Sequence, residues 1–126
     1  MTTLYSIAQT NNYLVMGTGN RSEIYVGYFT KWGDGAYDFN PIADLTATEV
    51  FEFLRFLNGP KSIIEKAPSA SLYEGQTDEK ELGVTYKELD SYLLSGTKPN
   101  EMSFEIINRR HNRSEHKRRM PSKYEE

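Results

Sequence analysis

Apolar residues at Val50, Phe53, Leu54 and Leu57 recur at the three- and four-residue spacing of one helix face. Thr46-Ala47-Thr48-Glu49, just before them, has the form of a capping box. The pattern predicts an amphipathic helix from there to about Leu57, stopped by Gly59-Pro60. A second capping box, Thr85-Tyr86-Lys87-Glu88, predicts a helix that ends near Gly96, and after Pro99 a last helix runs from Glu101 into the tail. At the opposite end, residues 2–11 put Leu4, Ile7 and Ala8 on one side of a short helix. Tyr13-Leu14-Val15-Met16 is a continuous apolar run that reads as a short buried strand over residues 13–17. Residues 24–30 are ambiguous: their β-branched and aromatic content favours a strand, while Ile24 and Tyr28 at i, i+4 suit a helix. Gly33, Asp34 and Gly35 mark a loop, and residues 66–83, rich in small and acidic residues, read as a mobile loop.

One strand among several helices raises a difficulty. A lone buried strand leaves its N–H and C=O groups without partners. Either another chain completes a sheet, or the segment belongs to a larger protein.

Composition narrows the classes. A chain of 126 residues suits one small soluble domain. No apolar run approaches the ~20 residues that span a bilayer, and no signal-peptide pattern opens the chain, so no membrane partner is expected. Without cysteine there is no disulfide framework, thiol nucleophile or zinc site built on Cys, and the cytoplasm is the expected compartment. His111 and His116 are the only histidines, too few for a His-rich metal cluster. The net charge of −3 hides an asymmetry: residues 109–126 hold seven of the fifteen Lys and Arg but three of the eighteen acids, so this basic tail carries +4 and the body −7. A phosphate-bearing ligand or a solvated helix end accounts for such a tail. A nucleic-acid reader would interleave aromatic residues with the basic ones, and here only Tyr124 is near, so no nucleic-acid partner is expected.

The candidate chemistry begins at Gly17-Thr18-Gly19-Asn20-Arg21-Ser22-Glu23, where small and polar residues follow the apolar run at a presumptive helix start. Backbone N–H groups there can hold an anion, and Glu23 beside them can hold a divalent metal that bridges phosphates. The plainer reading is a strand-to-helix turn with Asn20 or Ser22 as N-cap. Three further blocks follow in order: Lys31-Trp32-Gly33-Asp34-Gly35-Ala36-Tyr37-Asp38-Phe39-Asn40-Pro41; Lys66-Ala67-Pro68-Ser69 with Glu74-Gly75-Gln76-Thr77-Asp78-Glu79; and Ser114-Glu115-His116-Lys117-Arg118-Arg119.

The order and spacing of these four blocks closely resemble the C-terminal half of NAD synthetase, over Met1 to about Met120. The resemblance implies an α/β fold of the Rossmann-like ATP-pyrophosphatase type, helix-rich in this part, with residues 24–30 helical. It implies a ligase that adenylates deamido-NAD with ATP and Mg2+, releases pyrophosphate, and lets ammonia displace AMP. It also implies a homodimer. Carried over position by position, Thr18 and Ser69 would contact ATP, and Glu23 would hold magnesium. Lys31, Asp38, His116 and Lys117 would bind deamido-NAD. No catalytic residue is implied.

Two departures stand out. Family members often place an ATP-binding lysine where this chain has Ala47. The family's Ser-Gly-Gly-x-Asp-Ser pyrophosphate loop and a substrate-binding arginine have no counterpart here, so the chain reads as the C-terminal part of a single domain and as inactive alone. The alternative is a non-catalytic remnant that binds nucleotide or a partner chain.

Overall fold

The computed structural model describes residues 1–124. Eight helices follow one another: α1 (Thr2–Asn11), α2 (Arg21–Val26), α3 (Ala47–Phe56), α4 (Lys61–Ile64), α5 (Asp78–Leu82), α6 (Tyr86–Ser95), α7 (Glu101–Arg113) and α8 (Glu115–Arg118). Three of them start on complete capping boxes, Asn20 with Glu23, Thr46 with Glu49 and Thr85 with Glu88. In each, the N-cap side chain accepts the N3 amide while the N3 carboxylate accepts the N-cap amide, so two orphan donors are satisfied together. α6 ends at Gly96 in the left-handed conformation, as its sequence predicts.

α2 packs between α7, α6 and α3. The core there consists of Val26, Ala47, Leu82, Val84, Tyr86, Leu89 and Ile107, with Tyr25, Tyr28, Tyr92, Leu93 and Ile106 against it. A buried polar link crosses the same junction. Ser22 Oγ donates to Asp90, Ala47 N donates to Ser22 Oγ at 3.0 Å, and Thr48 N and Oγ1 both donate to Asp90 Oδ2 at 2.8 Å. Asp90 on α6 thereby fixes the starts of α2 and α3, which carry the candidate site.

The predicted strand over 13–17 does not form. Among the described residues the only pairing is one parallel bridge, Met16 to Phe39. Asp38 N donates to Val15 O (2.9 Å), Gly17 N donates to Phe39 O (2.7 Å), and Val15 N donates to the Asp38 carboxylate (2.7 Å). The opposite edge takes no backbone partner among the described residues. Nor is the run buried: Val15 is, but Tyr13, Leu14 and Met16 are 69%, 70% and 55% exposed.

Residues 24–30 are only partly helical. Gly27 adopts φ 69° as C-cap, and Tyr28 N donates to Glu23 O, closing α2 before Tyr28. Ser114 presses so closely on Gly27 that a side chain there would overlap it. The stretch 66–83 contains α5, with Leu82 fully buried and Gln76 and Asp78 buried beside it.

Candidate functional site

The turn after Met16 leads directly into α2, so Thr18, Asn20 and Glu23 line one cavity with the start of α3 and with Pro68, Ser69 and Asp78 of the 66–83 stretch. This cavity has a volume of about 270 Å3, and Ala47 and Tyr86 also line it. Thr18, Glu23 and Ser69, singled out separately in the sequence, therefore meet in one place. Ala47 forms part of the wall, and no Lys or Arg is among the lining residues.

Glu23 is half-buried. Its Oε2 accepts Asn20 N at 2.9 Å, while Oε1 has no hydrogen-bond partner among the described residues. Burial pushes its pKa up to about 6, helped by the carboxylates of Asp78 and Asp34 and opposed by the hydrogen bonds from Asn20. Asp78 is the second carboxylate on this cavity, and it is buried. Tyr28 OH donates to its Oδ1 at 3.1 Å and Tyr86 OH to its Oδ2 at 3.2 Å. Burial, with the charges of Glu23 and Asp78, keeps the Tyr86 phenol protonated far above neutrality. A carboxylate oxygen without a donor, in a desolvated wall beside a second carboxylate, suits a divalent cation whose other ligands are water and phosphate oxygens. No group of three or more potential ligands occurs among the described residues, so an all-protein cage is not offered.

Glu23 also borders a second cavity, of about 330 Å3, lined by Gly19, Phe29, Lys31, Trp32, Asp34 and Lys117 among others. Lys31 and Lys117, both expected at the second substrate, meet here. Each is already tied to backbone. Lys31 Nζ donates to His116 O (2.5 Å) and Arg119 O (2.8 Å); Lys117 Nζ donates to Gly27 O (2.8 Å) and Phe29 O (2.6 Å). They lash α8 to the loop after α2. Asp38 and His116 are not brought to either cavity. Asp38 accepts from Val15 N and Tyr5 OH, and His116 Nδ1 lies 3.2 Å from Arg113 O.

Sequence reasoning missed Asp78 and Tyr86. Asp78 sits in an acidic run that reads as solvated, and only the tyrosine hydroxyls contributed by α6 and the residue after Gly27 explain its burial. Gln76 Nε2 is likewise buried and has no hydrogen-bond partner among the described residues.

A carboxylate-walled cavity thus shares Glu23 with a lysine-bearing one. The NAD synthase family model matches residues 1–121, and the chain belongs to that family. It is 57% identical over 121 residues to the NH3-dependent NAD+ synthetase of Carboxydothermus hydrogenoformans, covering 96% of this chain and 49% of that protein. It is 48% identical to the Mycoplasma genitalium enzyme of the same name, covering 98% and 50%. The chain spans about half the length of the curated relatives it matches. Among solved structures, the NMN synthetase of Francisella tularensis superposes with a TM-score of 0.94 at 49% identity, over 98% of this chain and 51% of that one. The NH3-dependent NAD synthetase of Campylobacter jejuni superposes with a TM-score of 0.71 at 30% identity, over 99% and 51%.

Proposed function

We propose that this chain forms the half of an ammonia-dependent NAD synthase in which ATP, a divalent cation and deamido-NAD meet. The meeting of Thr18, Glu23 and Ser69 in one cavity supports this most directly. In the proposed reaction the nicotinate carboxylate attacks the α-phosphorus of ATP, and the bond to pyrophosphate breaks. Ammonia then attacks the acyl carbon of the adenylate, loses a proton, and AMP leaves as the amide forms. Magnesium, when bound, would offset phosphate charge.

The chain's own residues hold the parts in place. Glu23 stands on the wall common to both cavities, so a cation there lies between nucleotide and second substrate. Thr18 and Ser69 both carry hydroxyls on the lining of the first cavity. Lys31 and Lys117 set a positive wall on the second while fastening α8. Within the 66–83 stretch, the segment before α5 that carries Ser69 is a mobile cover ordered by nucleotide, hinged on the buried Gln76, Asp78 and Leu82. Asp38 and His116 remain proposed contacts to deamido-NAD, reached only after movement or from a second subunit of a homodimer. The exposed face of Tyr13, Leu14 and Met16 with Leu4 and Ile7 of α1 would take the remaining strands of a Rossmann-like α/β sheet.

A second reading is favoured by the 0.94 TM-score to the Francisella NMN synthetase: the acid amidated is the mononucleotide. The test is product formation by an intact enzyme carrying this half, supplied with Mg2+, ATP, ammonia and either deamido-NAD or nicotinate mononucleotide. NAD as the faster product supports the first reading, and NMN the second. No amide from either acid means a non-catalytic binding remnant.

A further inference from the structure

A third cleft, which shares Lys117 with the second cavity, lies where the basic tail begins. Arg109, Arg110, Arg113 and Lys117 line about 380 Å3 together with Val26, Gly27 and Ser114, and no carboxylate is among the lining residues. Positions 109 and 113 lie one turn apart on α7, with 110, 114 and 117 on the adjoining row.

Helix capping does not account for the whole cluster. Arg110 O accepts from Ser114 N and Ser114 Oγ, and His111 O accepts from Arg118. Two of the carbonyls that the end of α7 leaves orphaned thus already have donors. Arg110 itself points the other way, donating to Glu81 O and Leu82 O, and Lys117 is held by Gly27 O and Phe29 O. Arg109 and Arg113 are exposed, and their side chains make no hydrogen bond or ion pair among the described residues. Glu105, one turn before Arg109, does not pair with it; the one ion pair among the described residues joins Arg119 to Glu115. Burial depresses the Arg110 pKa and repulsion from Arg109 and Arg113 depresses it further, against the attraction of Tyr28 and Glu81. Arg109 and Arg113 therefore present two unpaired guanidiniums on the wall of the cleft among the described residues.

We propose that this cleft is an oxyanion site for a ligand of the phosphate class, gripped by the free guanidiniums of Arg109 and Arg113 between the fixed charges of Arg110 and Lys117. Guanidinium forks match phosphate oxygens bidentately, and two unpaired forks with further positive charge behind them favour a multiply charged anion over chloride. No aromatic side chain lines the cleft to stack a base, which favours a small phosphate over a nucleic acid. The proposal does not rest on the amidation reading.

Calorimetric titration of the chain at low ionic strength tests it, with phosphate, pyrophosphate, AMP and a chloride control, alongside the arginine side-chain NMR signals. Pyrophosphate is expected to saturate one site, moving the Arg109 and Arg113 signals. The Arg109→Ser/Arg113→Ser variant should bind it at least tenfold more weakly, while Lys87→Ser, which removes an exposed cation on α6 that does not line the cleft, binds as the parent does. AMP binding no tighter than phosphate points to the phosphate group alone as the ligand; tighter binding points to a nucleotide. Both arginines are on the surface, and single Arg109→Gln and Arg113→Gln variants, checked by circular dichroism, separate lost binding from lost fold. Absence of saturable binding beyond the chloride control would overturn the proposal. So would unchanged affinity in the double variant, an equal loss of binding in Lys87→Ser, or an oligonucleotide outcompeting pyrophosphate.

Discussion

Glu23 serves two ends that pull against each other. As the N3 residue of a capping box it stabilises α2, and as a desolvated carboxylate facing a cavity it is costly to ionise. Its folded pKa of about 6 lies above the ordinary 4.5. Its contribution to stability is therefore complete below the lower value and lost as pH rises through the upper one, by about 2 kcal/mol. Glu23→Gln should then be more stable than the parent at pH 7, by up to about 2 kcal/mol, with the difference gone near pH 4. Urea unfolding of both proteins across that range measures it; a difference that does not change with pH would remove burial as the cause. Asp90 is the contrasting case, a buried carboxylate whose three hydrogen bonds all serve architecture. Asp90→Ala should cost about 3 kcal/mol, because charge-assisted bonds are lost and the Ser22 and Thr48 donors are left buried. Equilibrium unfolding reads this directly, and a loss under 1 kcal/mol would show that the network is dispensable.

Among the elements, the caps carry the most information. Thr46→Ala should destabilise by about 1 kcal/mol by removing the acceptor for Glu49 N, and Thr85→Ala by a similar amount at α6. Thermal unfolding of the two single variants checks this, and an unchanged midpoint would deny the boxes their role. These helices were legible because a capping box and a helical apolar face are both local signals. The limits of α3 and α6 follow from Thr46, Gly59-Pro60, Thr85 and Gly96. The run at 13–17 misled because apolarity states what a segment seeks, not what is there to cover it. Leu14 and Met16 have only the 38–39 segment on one edge. α2 was shorter than its periodicity implied because Gly27 admits the left-handed turn, and Ser114, eighty-seven positions on, leaves room there for nothing larger. In the site, Thr18, Glu23 and Ser69 could be picked out along the chain, but Asp78 could not, since its tyrosine partners come from elsewhere in the fold.

At the scale of the whole molecule, two faces are unlike the rest. One is the basic end of α7 and α8. The other is the apolar surface of Leu4, Ile7, Tyr13, Leu14 and Met16, bordering a shallow cleft of about 260 Å3. A contiguous apolar surface of this kind marks a contact to be made. About half of each relative's length is unmatched, and we propose that this surface would contact the other half of an NAD synthase. The central claim is that this half supplies the cation site of the reaction, through Glu23. The most direct test is a chimera in which these residues replace the matching half of the Carboxydothermus hydrogenoformans enzyme, assayed for Mg2+-dependent amide formation with and without Glu23→Gln. The account predicts that the parental chimera is active and that the variant loses at least a hundredfold, about 2.7 kcal/mol of transition-state stabilisation, with partial recovery at high Mg2+. Full activity and an unaltered Mg2+ dependence in Glu23→Gln would contradict it.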